Sequence, residues 1–374
     1  MRIAAALSLV LIPALAQQPP DGRTLEQLLT AFSEQLDLLY SKGAAPTREQ
    51  ETELRARQLK ELEGFVQHEA RGDDRWRSRS LLAEMQLQAR QHDRAIATIR
   101  ALDADSTPFP GAVRGAELAE RAGETALRDA LVARAKAAAK TPEERMDLAR
   151  SMMTTLQLVR DGEALADAEF SAAKDDEQRA YVRWLRCKAE REREDLPENA
   201  FHDALEKLAA EFPSTRWGSI ARDRCAASQF QVGKACFPFG ASSIDGAEVR
   251  SGAMLGKAVA IVFCDTTDPT ANATLQSLLA SKSRDHDGLA VLVVATDEDR
   301  KAAERGAASI GDRAWVAWQG RGLESELALR FGVEAQPTVI LLDRKGAIAG
   351  LNLHCETKSA QQEMDEALTR ALAK

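Results

Sequence analysis

The sequence predicts two structural classes in one chain: an all-α, helical-repeat-like domain over residues 17–230 and an α/β domain over residues 231–374. Three observations carry this. Up to about Gln229 apolar residues recur three and four apart, the period of an amphipathic helix. Beyond it, β-branched apolar runs alternate with amphipathic stretches, the pattern of a sheet covered by helices. The length, 374 residues, suits two or three domains at about 150 residues each. A hydrophobic content of 44% excludes wholesale disorder. With 58 acidic against 50 basic residues, the net charge of −8 argues against a nucleic-acid partner.

Residues 1–16 come first. Arg2, the apolar run from Ile3 to Leu15 and the small-residue frame Ala14-Leu15-Ala16 match a secretory signal cleaved before Gln17. The run is too short for a membrane span. The expectation is an exported protein, periplasmic or secreted, that does not span a membrane. Export would place the 5 cysteines (Cys187, Cys225, Cys236, Cys264 and Cys355) where thiol pairs oxidise. No two stand at Cys-x-x-Cys spacing, and the histidines show no metal-ligand pairing, so neither metal nor cofactor is expected.

In the helical region, Leu25, Leu29, Phe32, Leu36 and Leu39 mark one apolar stripe. Thr47 and Thr141 read as helix caps, with Pro142 and Pro197 in first turns. Leu82, Met85 and Ala89, then Ala95, Ile99 and Leu102, read as an antiparallel pair turning at Gln91-His92-Asp93. A second pair runs through Leu118, Ala122, Gly123, Ala126 and Ala130, and a half-unit ends at Phe212-Pro213. Small residues at crossings followed by proline resemble tetratricopeptide repeats, although Ala95 to Ala126 falls short of that family's ~34-residue period and its aromatics are missing. An irregular helical bundle is the other reading.

In the α/β region, strands are predicted at 258–263, 289–295, 314–318, 339–342 and 347–351, and helices at 270–283, 299–309, 323–331 and 359–373. The last two strands form a hairpin through Asp343-Arg344-Lys345-Gly346. An earlier hairpin turns at Asp245-Gly246, a pair suited to a two-residue type I′ turn. Trp315 and Trp318, three apart on one strand, fall on opposite faces as packing residues.

Along this region stand Val232-Gly233-Lys234 with Phe237-Pro238-Phe239, Ile244-Asp245-Gly246, Leu255-Gly256-Lys257 leading into Val259–Phe263 as a strand, Thr296-Asp297-Glu298-Asp299, and Phe331-Gly332-Val333-Glu334-Ala335-Gln336-Pro337-Thr338. Together these words resemble the thioredoxin fold, in the redoxin variety found in secreted thiol–disulfide reductases and thiol peroxidases. The resemblance implies a cis proline at Pro337 beside a redox site. It also implies a Cys-x-x-Cys pair at the start of the helix that follows Phe263. Here the text is Cys264-Asp265-Thr266-Thr267-Asp268-Pro269-Thr270-Ala271, so Asp268 and Ala271 occupy the cysteine positions. Val262 stands where the family often has a buried acid.

Disulfide exchange needs a thiolate, which a helix N-terminus favours through its amide donors and dipole. Asp268 brings a negative oxygen there but no sulfur. Asp followed by Pro is instead a strong cap and first-turn pair, worth about 1 kcal/mol of helix stability. The expected function is therefore a redox-inactive member that binds a protein or peptide partner, with Thr266, Thr267, Asp268, Gln336 and Pro337 shaping the groove. A working thiol enzyme would have to use Cys264 or Cys355, the latter assisted by His354. Otherwise these are packed or structurally bridged thiols. A third class is a scaffold that holds the helical array.

Overall fold

The structure is a computed structural model that describes residues 23–40, 46–104, 107–193, 195–197, 199–284, 288–297, 299–354 and 358–373. The expected export signal and Cys355 lie outside them. Two compact units divide the chain between Phe201 and His202. Among the described residues no helix is long and apolar enough to cross a membrane.

The first unit is helical: α1 (Leu25–Tyr40), α2 (Arg48–His68), α3 (Gly72–Gln88), α4 (His92–Ala104), α5 (Phe109–Arg121), α6 (Thr125–Ala138), α7 (Pro142–Thr154), α8 (Val159–Ala172) and α9 (Asp176–Arg191). They pack as consecutive pairs, α3 with α4, α5 with α6 and α7 with α8. Alanine and glycine let the pairs close. A Cβ on Gly162 of α8 would fall 2.8 Å from the Ala149 carbonyl oxygen of α7, and Ala112, Ala116, Ala119 and Ala135 line the core with Leu131 and Met152. Thr47 and Thr141 cap α2 and α7 in reciprocal capping boxes, with Pro142 opening α7. Two expectations shift. Leu36 is 40% exposed, and the stripe of α1 that meets Leu59, Leu62 and Phe65 of α2 is Leu25, Leu28 and Phe32. Pro197 stands ahead of the next helix rather than in its first turn, its carbonyl accepting the Ala200 amide at 2.9 Å.

From residue 200 follow α10 (Ala200–Glu211), which crosses the division, and α11 (Arg216–Ser228). Then come β1 (Gly240–Ser242), β2 (Glu248–Arg250), β3 (Ala258–Cys264), α12 (Pro269–Arg284), β4 (Leu289–Ala295), α13 (Arg300–Ile310) and β5 (Trp315–Trp318). The chain closes with α14 (Glu326–Phe331), β6 (Thr338–Leu342), β7 (Ile348–Leu353) and α15 (Lys358–Leu372). The sheet has the order β5-β4-β3-β6-β7; β3, β4 and β5 are parallel, β6 runs antiparallel to β3, and β7, antiparallel to β6, runs in the direction of β3 again. The peptide bond between Gln336 and Pro337, just before β6, is cis. This is the thioredoxin fold, preceded by an all-α region.

β3 and β4 are buried at every position, which is why they read as unbroken apolar runs rather than alternating ones. Two parallel crossovers in one direction put α12 and α13 on one face, where α15 joins them on Ala260, Val262, Val291 and Val293. The other face, with Ile261, Phe263 and Leu292, is covered by α14, the β1–β2 hairpin and Phe239. Trp318 packs on the first face and Trp315 on the second.

Two further differences concern position. The unit that holds the sheet reaches back to His202, whereas the expected domain boundary fell at 230/231. The reason is that α11 docks on α14, through Asp223 to Arg330 at 2.6 Å and Arg216 to Glu326 at 3.0 Å. The first hairpin turns through three residues, not a two-residue type I′ turn. Ser243 donates to Ala247 at 2.8 Å and accepts from Gly246 at 2.9 Å, and only Gly246 has positive φ, at 89°. Type I′ needs positive φ at both central residues, which Asp245 does not adopt.

Candidate functional site

Register decides which loops meet. β3 lies parallel to β4 with Cys264 opposite Ala295, and antiparallel to β6 with Phe263 opposite Thr338. The segments after Cys264, after Ala295 and before Thr338 therefore share one rim. It carries Thr266, Thr267 and Asp268, Thr296 and Asp297, and Gln336 with cis Pro337. β7 ends at this side too, Leu353 lying opposite Val339, so His354 follows at the same end.

The first loop is organised by its own acid. Asp265 Oδ1 accepts the Thr267 amide at 2.8 Å and its hydroxyl at 2.7 Å, and the Asp268 amide donates to the Asp265 carbonyl at 3.3 Å. The chain then enters α12 directly after Asp268. Ala271 in the first turn is 1% exposed and packs in the core with Leu275.

A second acid, which the sequence reading did not single out as a site residue, fastens this loop from inside. Asp297 has 0% exposure; its Oδ1 accepts the Thr266 hydroxyl at 2.7 Å and its Oδ2 the Thr266 amide at 3.1 Å. The Asp297 carbonyl accepts Trp318 Nε1–H at 3.0 Å. α13 crosses close above, since a Cβ on Gly306 would lie 2.0 Å from Thr266 Oγ1. Burial raises the pKa of Asp297 above the ordinary carboxylate value; the two Thr266 bonds pull it back, and the nearby Asp265 charge raises it further. Beside it the Thr296 amide extends the ladder to the Cys264 carbonyl at 2.9 Å, and the Thr296 hydroxyl donates to Gln336 Oε1. Two polar residues directly after an all-apolar strand were the available signal.

Cys264 is 0% exposed, and its thiol is pushed up to about 12, by burial first and then by the charges of Asp297, Asp265 and Asp268. Burial likewise raises Cys187 to about 12, Cys225 to about 11 and Cys236 to about 12. These four are free thiols, and no cysteine pair occurs among the described residues. A thiol with so high a pKa offers almost no thiolate at neutral pH. Among the described residues no three His, Cys, Asp or Glu side chains gather as a metal site.

No known family and no curated protein matches the chain by sequence. Among solved structures it is similar to a candidate thiol:disulfide interchange protein from Chlorobium tepidum, with 18% identity, 39% of this chain and 100% of that chain covered, and a TM-score of 0.34. The thioredoxin domain of a thiol-disulfide oxidoreductase from Bacteroides vulgatus gives 16% identity, coverage of 39% and 100%, and a TM-score of 0.33. A thioredoxin-like protein from Bacteroides caccae gives 14% identity, coverage of 68% and 84%, and a TM-score of 0.33. Strand order, strand direction and the place of the cis proline, rather than these likenesses, define the second unit as a thioredoxin-fold domain.

Proposed function

We propose that the protein is an exported, redox-inactive relative of thiol–disulfide oxidoreductases that binds a protein or peptide partner at this rim. One observation carries the reading: no cysteine pair stands at the start of α12, where Asp268 and the buried Ala271 take the positions that the resemblance gives to a dithiol, and Cys264, at the end of β3, is buried in the core. Thr267 and Gln336 are exposed on either side of the rim, and Thr266, Asp268 and Pro337 shape it between them. An extended chain can pair with backbone there. The signal-like residues 1–16 support export. The consecutive helix pairs of the first unit support a degenerate tetratricopeptide-like array, a form that offers a surface to partners.

The test is insulin reduction in the presence of a thiol reductant. The mature protein should give no turnover above background. Thioredoxin-like turnover that disappears in Cys264→Ser or Cys355→Ser would instead establish a thiol enzyme. The binding half of the reading is tested by panning an extended-peptide library against the wild type and a Gln336→Ala, Thr267→Ala variant. Enrichment that survives the double change would place binding elsewhere.

A further inference from the structure

The segment that presents Gln336 is held from behind by α11. Arg224 of this helix is 8% exposed, and burying a guanidinium is costly unless it is paired. It is paired twice. Nη1 donates to the Leu329 carbonyl at 3.2 Å, and Nη2 to Glu334 Oε1 at 2.8 Å. These acceptors bracket the turn that ends α14. There the Gly332 amide also donates to Leu329 O at 3.2 Å, the Val333 amide to Ala328 O at 2.9 Å, and Gly332 takes a left-handed φ of 67°. The guanidinium thus joins the last turn of α14 to Glu334, close before Gln336.

The rest of α11 keeps that guanidinium in place. Its neighbour Asp223 holds Arg330 Nε at 2.6 Å, and Arg216 holds Glu326 at 3.0 Å at the other end of α14. Beneath, Phe331 is ringed by Phe230, Phe237, Phe239 and Phe263 with centroids 4.7–6.2 Å away, which packs the end of α14 against the sheet side of the unit.

We infer that Arg224 is a positioning residue for the rim: from α11 it sets the path of residues 332–336 and so the presentation of Gln336 beside Thr296. The functional meaning of this rests on the partner-binding reading above; the mechanical part does not.

Amide hydrogen exchange on the full chain tests it, comparing the wild type with Arg224→Ala, Arg224→Lys and Glu334→Ala. The reporting amides are Gly332 and Val333, with Val262 and Val293 in the central strands as internal controls. Arg224→Ala should speed exchange at the reporters roughly tenfold or more while the strand amides keep their protection. Arg224→Lys, which keeps the charge but not the two-pronged donor geometry, should fall between it and the wild type. Glu334→Ala changes an exposed side chain and should give a smaller rise at the same two amides. Unchanged reporters in folded Arg224→Ala would overturn the inference, as would a rise shared equally by the strands. If Arg224→Ala does not fold, Glu334→Ala decides alone, and no rise there rejects the inference. Because no ligand enters the measurement, failure of the peptide-binding reading and failure of this one are separate results.

Discussion

Asp297 and Thr266 are joined twice, the carboxylate taking the threonine hydroxyl on one oxygen at 2.7 Å and its backbone amide on the other at 3.1 Å. Two donors with fixed positions need two acceptors, and a carboxylate supplies both. The loop after β3 is thereby fastened to the segment that follows β4 by a fully buried carboxylate.

The first prediction follows from that pairing. Asp297→Ala leaves both Thr266 donors without partners in a buried site, and should destabilise the second unit by about 1–3 kcal/mol. Urea unfolding of a 202–374 fragment measures it. A neutral result would mean that the loop does not depend on this acid.

The same residue sets a pH dependence. Burial holds the folded pKa of Asp297 above its unfolded value, about 3.9, so in that window the folded state binds more protons than the unfolded one. The contribution of Asp297 to stability is thus greatest at acid pH and declines as pH rises through the folded pKa. Asp297→Asn removes the titration. Relative to that variant, the wild type should lose stability as pH rises from about 4. The opposite slope would show a carboxylate stabilised in its charged form instead.

Thiol reactivity gives a third. In a Cys355→Ser protein at pH 8, Cys187 and Cys264 should not react with Ellman's reagent while folded, and Cys225 and Cys236 should react slowly, since burial raises all four pKa values. Denaturation should release the full count. Rapid labelling of native Cys264 would return it to the list of candidate nucleophiles.

A fourth concerns Asp268 and Ala271, at the positions that the resemblance gives to a dithiol. Asp268→Ala should cost roughly 0.5–2 kcal/mol if Asp268 caps α12. Asp268→Cys combined with Ala271→Cys should fold, because one sulfur replaces a residue at the helix start and the other a buried methyl. It should also gain insulin-reducing activity, the first sulfur being favoured as thiolate by the helix terminus. A folded double variant with no gain would count against this alignment.

Fragment boundaries give the last. A fragment of residues 202–374 should unfold cooperatively, whereas 231–374 lacks α11 and with it the ion pairs that α11 makes to Arg330, Glu334 and Glu326. It should unfold at lower urea or aggregate. Equal midpoints would make α11 an accessory to the sheet.

The order and kind of nearly every element in the α/β domain were legible in the sequence, because they depend on local periods. β4 was placed residue for residue at 289–295, and its neighbours within a residue or two. The cis Gln336–Pro337 bond came from a resemblance in words rather than from periodicity, and the structure has it. The three-residue turn at 244–246 was missed because Asp-Gly suits both a two-residue type I′ loop and a longer loop with glycine at its last position, and here only Gly246 has positive φ.

The sequence by itself determined that a helical region precedes a thioredoxin-fold domain, and that no Cys-x-x-Cys pair follows β3, where the text reads Cys264 to Ala271 with a single cysteine. These are matters of pattern and identity, fixed residue by residue. Only the tertiary structure decided that α11 belongs with the sheet, that Asp297 is a buried clamp on Thr266, and that Cys264 is sealed off. An amphipathic helix shows that it has a buried face but not what covers it. An acid written after a strand has the same letter whether it meets water or a buried hydroxyl; long-range packing makes that choice.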